Sequence, residues 1–293
     1  MNWRVVIVTR IAPVLAGFDA VVRAAGHEPV ALMSMRDHDG RYGNLPDVGE
    51  LVQSAAPGLE ILLPARRGSI APLLAAVEPD LVVCMGFPWR IPPDALAVPH
   101  LGWLNGHPSL LPRHRGPLPV AWAIREGDEE IGITFHRMDA DLDTGPILAQ
   151  RRYPLGELKP PDTFYPELGQ VVGEALAEAL ERLAAGEEGT PQEEGGSYES
   201  FFGEEDAWLD LSRPAIEVHR LAWAWRYAMA LDGTRGALLD LDGERVRVLA
   251  TSLTEVEDAR RLECGDGPLW VVETEELSAE EASSTSGAAP STQ

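Results

Sequence analysis

Asn105, His107 and Asp143 carry an amide, an imidazole and a carboxylate, a set able to move an acyl group onto an amine. Such a transfer builds a tetrahedral intermediate, whose oxyanion is stabilised by donors aimed at it. A base must take a proton from the attacking nitrogen, and a carboxylate can orient a histidine and raise its pKa. Asn105 and His107 are two residues apart, so an extended chain points both to one side. They open the run Asn105-Gly106-His107-Pro108-Ser109-Leu110-Leu111-Pro112-Arg113-His114-Arg115-Gly116, whose prolines cannot continue a central strand. Asp143 precedes Thr144-Gly145, a turn from which a carboxylate can project into a cleft.

The elements around these residues must hold them together. Strand patterns at Arg4–Val8, His27–Met33 and Leu81–Met85 alternate with helix patterns at Val14–Ala25 and Ile70–Val77. Gly26 closes the first helix, and Ser69 is the expected cap of the second. Leu101–Leu104 is a further strand, placing Asn105 and His107 just after it. Pro117–Arg125 suits a helix, and Gly132–Met138 and Pro146–Tyr153 suit strands. Leu168, Val172, Leu176, Leu180 and Leu183 make the stripe of a long helix. The alternation predicts an α/β fold with an open, mostly parallel sheet over residues 1–185. Ligands of such sheets sit outside the carboxyl ends of the strands. Residues 36–50, polar and Gly-rich, read as a mobile loop.

Residues 186–198 lack apolar content and read as a linker. A second unit, 199–274, follows. Ser212 is the expected cap of a helix bearing Ala215, Val218, Ala222 and Trp225 on one face. Leu238–Leu241, the Asp242-Gly243 turn, and Val246 and Val248 between arginines make a hairpin. Trp270–Val272 is another strand, so this unit is a small β-rich domain. From about Glu275 the chain is rich in Glu, Ser and Ala, and residues 275–293 read as a disordered tail.

Composition removes several function classes. No run approaches the length of a transmembrane helix. Two distant cysteines, Cys84 and Cys264, fit a reducing cytoplasm and exclude a disulfide framework. Residues 1–150 hold 17 acidic and 12 basic residues, whereas residues 151–293 hold 30 and 12. The net of −18 in the second half opposes a polyanionic partner. His100 and His114 flank the motif but match no metal-ligand spacing, so no metal is expected.

At these residues the chain resembles the formyltransferases that use 10-formyltetrahydrofolate. Asn105 through Pro112 matches the family's Asn-x-His-x-Ser-Leu-Leu-Pro element, and Asp143-Thr144-Gly145 matches its Asp-x-Gly signature. Gly86-Phe87-Pro88-Trp89-Arg90-Ile91 resembles the segment lining the pterin pocket. The resemblance implies a Rossmann-like catalytic domain followed by a small β-rich, OB-like domain. It implies that the Asn105 amide holds the formyl oxygen and that protonated His107 stabilises the oxyanion. Asp143 would keep His107 charged and help relay the amine's proton. Phe87, Trp89, Arg90, Ile91, Asp139, Ala140 and Asp141 would form the folate side of the site. Ser109, Arg113 and His136 would face the acceptor, although His136 also reads as a packed histidine and Arg113 as a solvated one.

The acceptor is less marked. The first strand–helix turn, Thr9-Arg10-Ile11-Ala12-Pro13-Val14, has no glycine cluster to cradle the phosphate of glycinamide ribonucleotide. Methionyl-tRNA would need basic surface, and the second half has a single lysine, Lys159. Gly40-Arg41-Tyr42-Gly43 nevertheless resembles the acceptor-gripping loop of the tRNA enzyme. A small-molecule amine leads, followed by methionyl-tRNA, by water as in a 10-formyltetrahydrofolate hydrolase, and by a folate-binding module without activity. Oligomeric state is undecided.

Overall fold

In the computed structural model the described residues are 2–35, 48–203, 206–232, 236–241 and 243–277. They form two units, treated separately. The first takes in residues of Met1–Pro119, Glu130–Pro154 and Asp162–Glu199; the second takes in Val120–Glu129, Leu155–Pro161 and the chain from Ser200.

The chain begins with β1 (Arg4–Val8), α1 (Ala12–Ala24), β2 (Glu28–Met33), α2 (Val48–Ser54) and β3 (Glu60–Leu62). It continues with α3 (Ile70–Val77), β4 (Leu81–Cys84), α4 (Pro93–Leu96) and β5 (Trp103–His107). Next come α5 (Pro119–Glu126), β6 (Glu130–Arg137), β7 (Ile147–Pro154) and α6 (Pro161–Ala184). The seven strands order as β3-β2-β1-β4-β5-β6-β7. The first five are parallel; β6 runs antiparallel to β5 and β7 antiparallel to β6. The continuous apolar runs of β1 and β4 follow from burial on both faces. Val6 and Val8 pack with Ile70, Leu74 and Trp103 in one cluster. On the sheet's other face, Phe18 of α1 meets Phe135 of β6, ring centroids 5.8 Å apart. The order reverses between β1 and β4, which makes their carboxyl ends the topological switch point.

Several expectations shift. β5 runs on through Asn105 and His107 rather than stopping at Leu104. Pairing with β6 extends it, since Asn105 lies opposite His136 and His107 opposite Thr134. Ser69 makes no cap hydrogen bond, because its backbone is already helical after a single 3-10 turn at Arg67–Ser69. The polar stretch 36–50 ends in helix from Val48; its remainder, including Gly40-Arg41-Tyr42-Gly43, lies outside the described residues.

The second unit contains α7 (Ala215–Asp232), β8 (Leu238–Leu241), β9 (Glu244–Ser252), β10 (Arg260–Cys264) and β11 (Gly267–Glu276). Its strands form a four-stranded antiparallel sheet, β10-β11-β9-β8. The first-turn amide of α7 is capped by the Asp266 carboxylate at 2.7 Å, not by Ser212, whose hydroxyl donates to Asp210. β11 reaches Glu276, so residues 275 and 276 belong to the sheet and not to the tail; residues 278–293 lie outside the described chain. No helix among the described residues is long and apolar enough to cross a membrane.

Candidate active site

Asn105, His107 and Asp143 converge at the carboxyl end of β5. Strand geometry sets the first two on one side of the sheet. Asp143 arrives from the β6–β7 turn with φ of 58°, a left-handed conformation that aspartate tolerates. Gly145 turns the chain there so closely that an added Cβ would lie 1.8 Å from the Arg137 carbonyl oxygen. Gly145→Ala is therefore expected to cost about 2 kcal/mol by overpacking. An unchanged denaturation midpoint would remove this account of the turn.

The hydrogen bonds assign the protons. The His107 Nε2 donates to the His114 carbonyl at 2.8 Å, since a carbonyl only accepts. Its Nδ1 faces the Asp143 Oδ1 at 3.6 Å. His136 Nδ1 likewise donates to the Arg137 carbonyl at 2.9 Å, leaving Nε2 as an acceptor. The Asn105 amide nitrogen donates to that Nε2 at 3.2 Å and to the Asp143 Oδ1 at 3.3 Å. The Asp143 Oδ2 accepts the backbone N–H of Gly116 at 3.0 Å.

Charges follow from this frame. Burial disfavours the Asp143 carboxylate, yet the charge of His107 in its protonated form and the Gly116 N–H outweigh it and hold the pKa down to about 2. For His107 burial wins. It pushes the pKa below the ordinary histidine value against the upward pull of Asp143 and the His114 carbonyl. This corrects the expectation of a resting imidazolium: the ring is neutral near pH 7, with an open Nδ1 beside a carboxylate. Burial, with Asp143 nearby, raises the Cys84 thiol to about 12, so it serves as an inert core residue.

The remaining expected residues divide. Arg90 reaches the 139–141 segment: its Nε donates to the Ala140 carbonyl at 2.9 Å, and its Nη2 meets the Asp141 carboxylate at 3.2 Å. The segments 87–91 and 139–141 are thus brought together. Phe87 and Trp89 meet edge to face at 5.8 Å and pack on the sheet core, which Ile91 enters. Asp139 braces the loop by accepting from the Asp141 N–H and the Thr144 hydroxyl. Ser109 is only 1% exposed and donates its hydroxyl to the Arg113 carbonyl, so it braces the motif loop instead of facing an acceptor. Arg113 is exposed. His136 is buried and holds Asn105.

One contributor had no signal in the sequence. The polar segment expected as a linker is hydrogen-bonded along the motif loop. Ser197 accepts from the N–H groups of His114 and Arg115, and the Glu199 N–H donates to the Arg115 carbonyl. Gln192 accepts from the Arg115 guanidinium and donates to the carbonyls of Asp143 and Gly145, both at 2.9 Å. It ties the motif loop to the aspartate turn. Gln192→Ala is expected to lower kcat roughly 10-fold through misplacement of Asp143. Gln192→Glu should lose more, because a carboxylate would face two carbonyls. Equal turnover of wild type and both variants would show that Gln192 positions nothing.

The formyl transferase family profile matches residues 64–180. The methionyl-tRNA formyltransferase of Roseiflexus sp. (strain RS-1) is 33% identical over 279 residues, covering 92% of this chain and 84% of the relative. That of Anaeromyxobacter dehalogenans (strain 2CP-C) is 41% identical over 175 residues, covering 59% and 56%. HypX from Aquifex aeolicus, in complex with tetrahydrofolic acid, superposes with a TM-score of 0.66 at 20% identity. That match covers 98% of this chain and 47% of HypX, so the chain spans about half of HypX. WlaRD, a sugar 3N-formyl transferase solved with dTDP and 5-N-formyl-THF, gives 0.65 at 13% identity, covering 94% and 98%. At these identities the structural likeness establishes the fold. The sequence match, spanning most of both chains, establishes descent: the chain belongs to the formyltransferase family.

Proposed function

We propose that the protein transfers a formyl group from 10-formyltetrahydrofolate to the primary amine of a small molecule. The observation that carries this reading is the convergence of Asn105, His107 and Asp143 at the end of β5, with His107 buried and the other two half-buried. The amine nitrogen attacks the formyl carbon, and the carbonyl oxygen becomes an oxyanion. Both N–H groups of Asn105 are engaged at rest, so the oxyanion takes the one held by Asp143 in the longer, 3.3 Å bond. His107 Nδ1 accepts the amine's proton and becomes a cation beside both the oxyanion and Asp143. Collapse of the oxyanion re-forms the carbonyl and breaks the bond from the formyl carbon to the folate N10, which takes the proton back from His107 as it leaves, so that the ring returns to its neutral form. Residues 1–185 would carry this chemistry, with segments 87–91 and 139–141 on the folate side. The tetrahydrofolic acid in HypX and the 5-N-formyl-THF in WlaRD support a folate donor.

Release of tetrahydrofolate from 10-formyltetrahydrofolate, followed by absorbance with and without an amine panel, tests the proposal. Release that depends on an amine, with a formylated product by mass, is expected. Release without amine makes the protein a hydrolase, and no release under any condition makes it a binder.

A second reading is favoured by one observation: relatives matching over most of their length are methionyl-tRNA formyltransferases. Against it stands the net charge of −18 over residues 151–293. Formylation of methionyl-tRNA at rates above every small amine, with strongly salt-dependent binding, would promote the second reading.

A further inference from the structure

The neutral His107 ring has one proton and two acceptors beside it. The His114 carbonyl lies 2.8 Å from Nε2, and the Asp143 Oδ1 lies 3.6 Å from Nδ1. Left to Asp143 alone, the proton would sit on Nδ1, and the ring could no longer take a proton from an amine there. The base therefore depends on the aim of one backbone carbonyl. That carbonyl belongs to a residue with φ of 54°, in the left-handed region, which costs a residue other than glycine roughly 1–2 kcal/mol. What holds His114 there comes from residues 197–199. Its N–H donates to the Ser197 hydroxyl at 2.9 Å. The Arg115 N–H donates to the Ser197 carbonyl at 3.2 Å, and the Glu199 N–H donates to the Arg115 carbonyl at 2.9 Å. The two segments run so close that a Cβ added to Gly116 would lie 2.1 Å from the Glu199 carbonyl oxygen. Their side chains meet as well. The His114 side chain is 3% exposed and that of Glu199 is 11% exposed, with Nδ1 and Oε2 3.6 Å apart. A carboxylate oxygen at that depth is costly to leave without a donor, so Glu199 favours the ring orientation whose Nδ1–H faces it.

We infer that Glu199 is a positioning residue for His107: it anchors the His114 side chain, so that the His114 carbonyl holds the proton on Nε2 and Nδ1 stays open as the base. Glu199 lies beyond residues 64–180, which the family profile matches, and just past the stretch whose composition reads as a linker. It acts through His114 and not on the reacting atoms. The imidazole–carboxylate pair of His107 and Asp143 is thus backed by a second such pair, and one peptide carbonyl joins them. The inference rests on the proposed transfer for the reaction that the base serves, and on the hydrogen bonds alone for the tautomer.

Nitrogen-15 spectra of the full chain labelled at histidine report the tautomer without any formyl assay, with the His107 signals identified by their loss in His107→Gln. Wild type at neutral pH should show mainly the Nε2–H form. Glu199→Ala should raise the Nδ1–H form to a comparable population. It should also lower kcat for formyl transfer roughly 10-fold, with little change in KM for amine or folate. Glu199→Gln, whose amide oxygen can still accept from Nδ1, should recover most of that loss. His114→Asn removes the ring and keeps a residue that tolerates the left-handed region. It should match Glu199→Ala, and the double variant should lose no more than either, because both act through one contact. His114→Asn also carries the test if Glu199→Ala does not fold. An unmoved His107 tautomer in the folded variants, losses that add in the double variant, a loss confined to KM, or a Glu199→Gln as slow as Glu199→Ala would each overturn the role. A tautomer that shifts as stated, in a protein that transfers to no amine, would leave the positioning role standing and defeat the transferase reading alone.

Discussion

His107→Ala is expected to reduce kcat for formyl transfer by on the order of 1,000-fold, since in the proposed transfer one ring supplies both proton acceptance and charge stabilisation. The ring is held at both ends: Nε2 by the His114 carbonyl at 2.8 Å and Nδ1 opposite Asp143 at 3.6 Å. Among the described residues no neighbour can substitute. His136 is committed to Asn105 and to the Arg137 carbonyl, and the carbonyl of His114 is a weak base. The loss should fall on kcat, because the ring meets charge that exists only in the transition state. Single-turnover tetrahydrofolate release, with circular dichroism as a control for folding, measures it. Asn105→Ala should be comparably damaging, and the double variant should lose little more, since groups acting on one intermediate are not additive. Activity of His107→Ala within tenfold of wild type would end its assignment as the base.

Why this pair was legible while its supports were not is a matter of range. The two-residue spacing of Asn105 and His107 encodes a shared side of a strand, and the burial of β1 and β4 is written in unbroken apolar runs. These are local properties. The length of β5 was not local, because β6 pairs with Asn105 and His107 and so extends the strand. The caps failed for a related reason. Ser69 and Ser212 sit where a cap belongs by pattern, but a preceding 3-10 turn removes the role of the first, and Asp266, distant in sequence, takes the role of the second. β3 spans three residues, and β10 is bounded by charge, so neither left a periodic signature. Gln192 lies in a stretch with no apolar content, and its value comes entirely from three partners far away in the chain. The neutral resting state of His107 was equally hidden. A carboxylate partner argues for a raised pKa, and only the depth of burial reverses the sign.

Asp143→Asn separates the electrostatic role of that carboxylate from its structural one. The amide keeps the shape of the turn. Its oxygen can still accept from Gly116, but it no longer stabilises a cation on His107 Nδ1. The expected loss in kcat is on the order of 1,000-fold, the scale on which a misdirected or unsupported catalytic histidine fails. Two pH dependences should move with it. Asp143 raises the pKa of His107 against burial, so removing its charge should shift the acid limb of kcat/KM to lower pH. Stability should shift too. The folded-state pKa near 2 lies below the ordinary aspartate value, so its contribution is full above about pH 4 and lost as pH falls toward 2. That difference is worth roughly 2 kcal/mol, and Asp143→Asn should flatten the acid side of the wild-type denaturation curve by this amount. The two readouts report the same pair from its two ends, since one titrates the imidazole in catalysis and the other the carboxylate in folding. A flattened stability curve with an unmoved acid limb would mean that Asp143 holds the turn but does not set the charge of His107, and the proton path would then need another carrier.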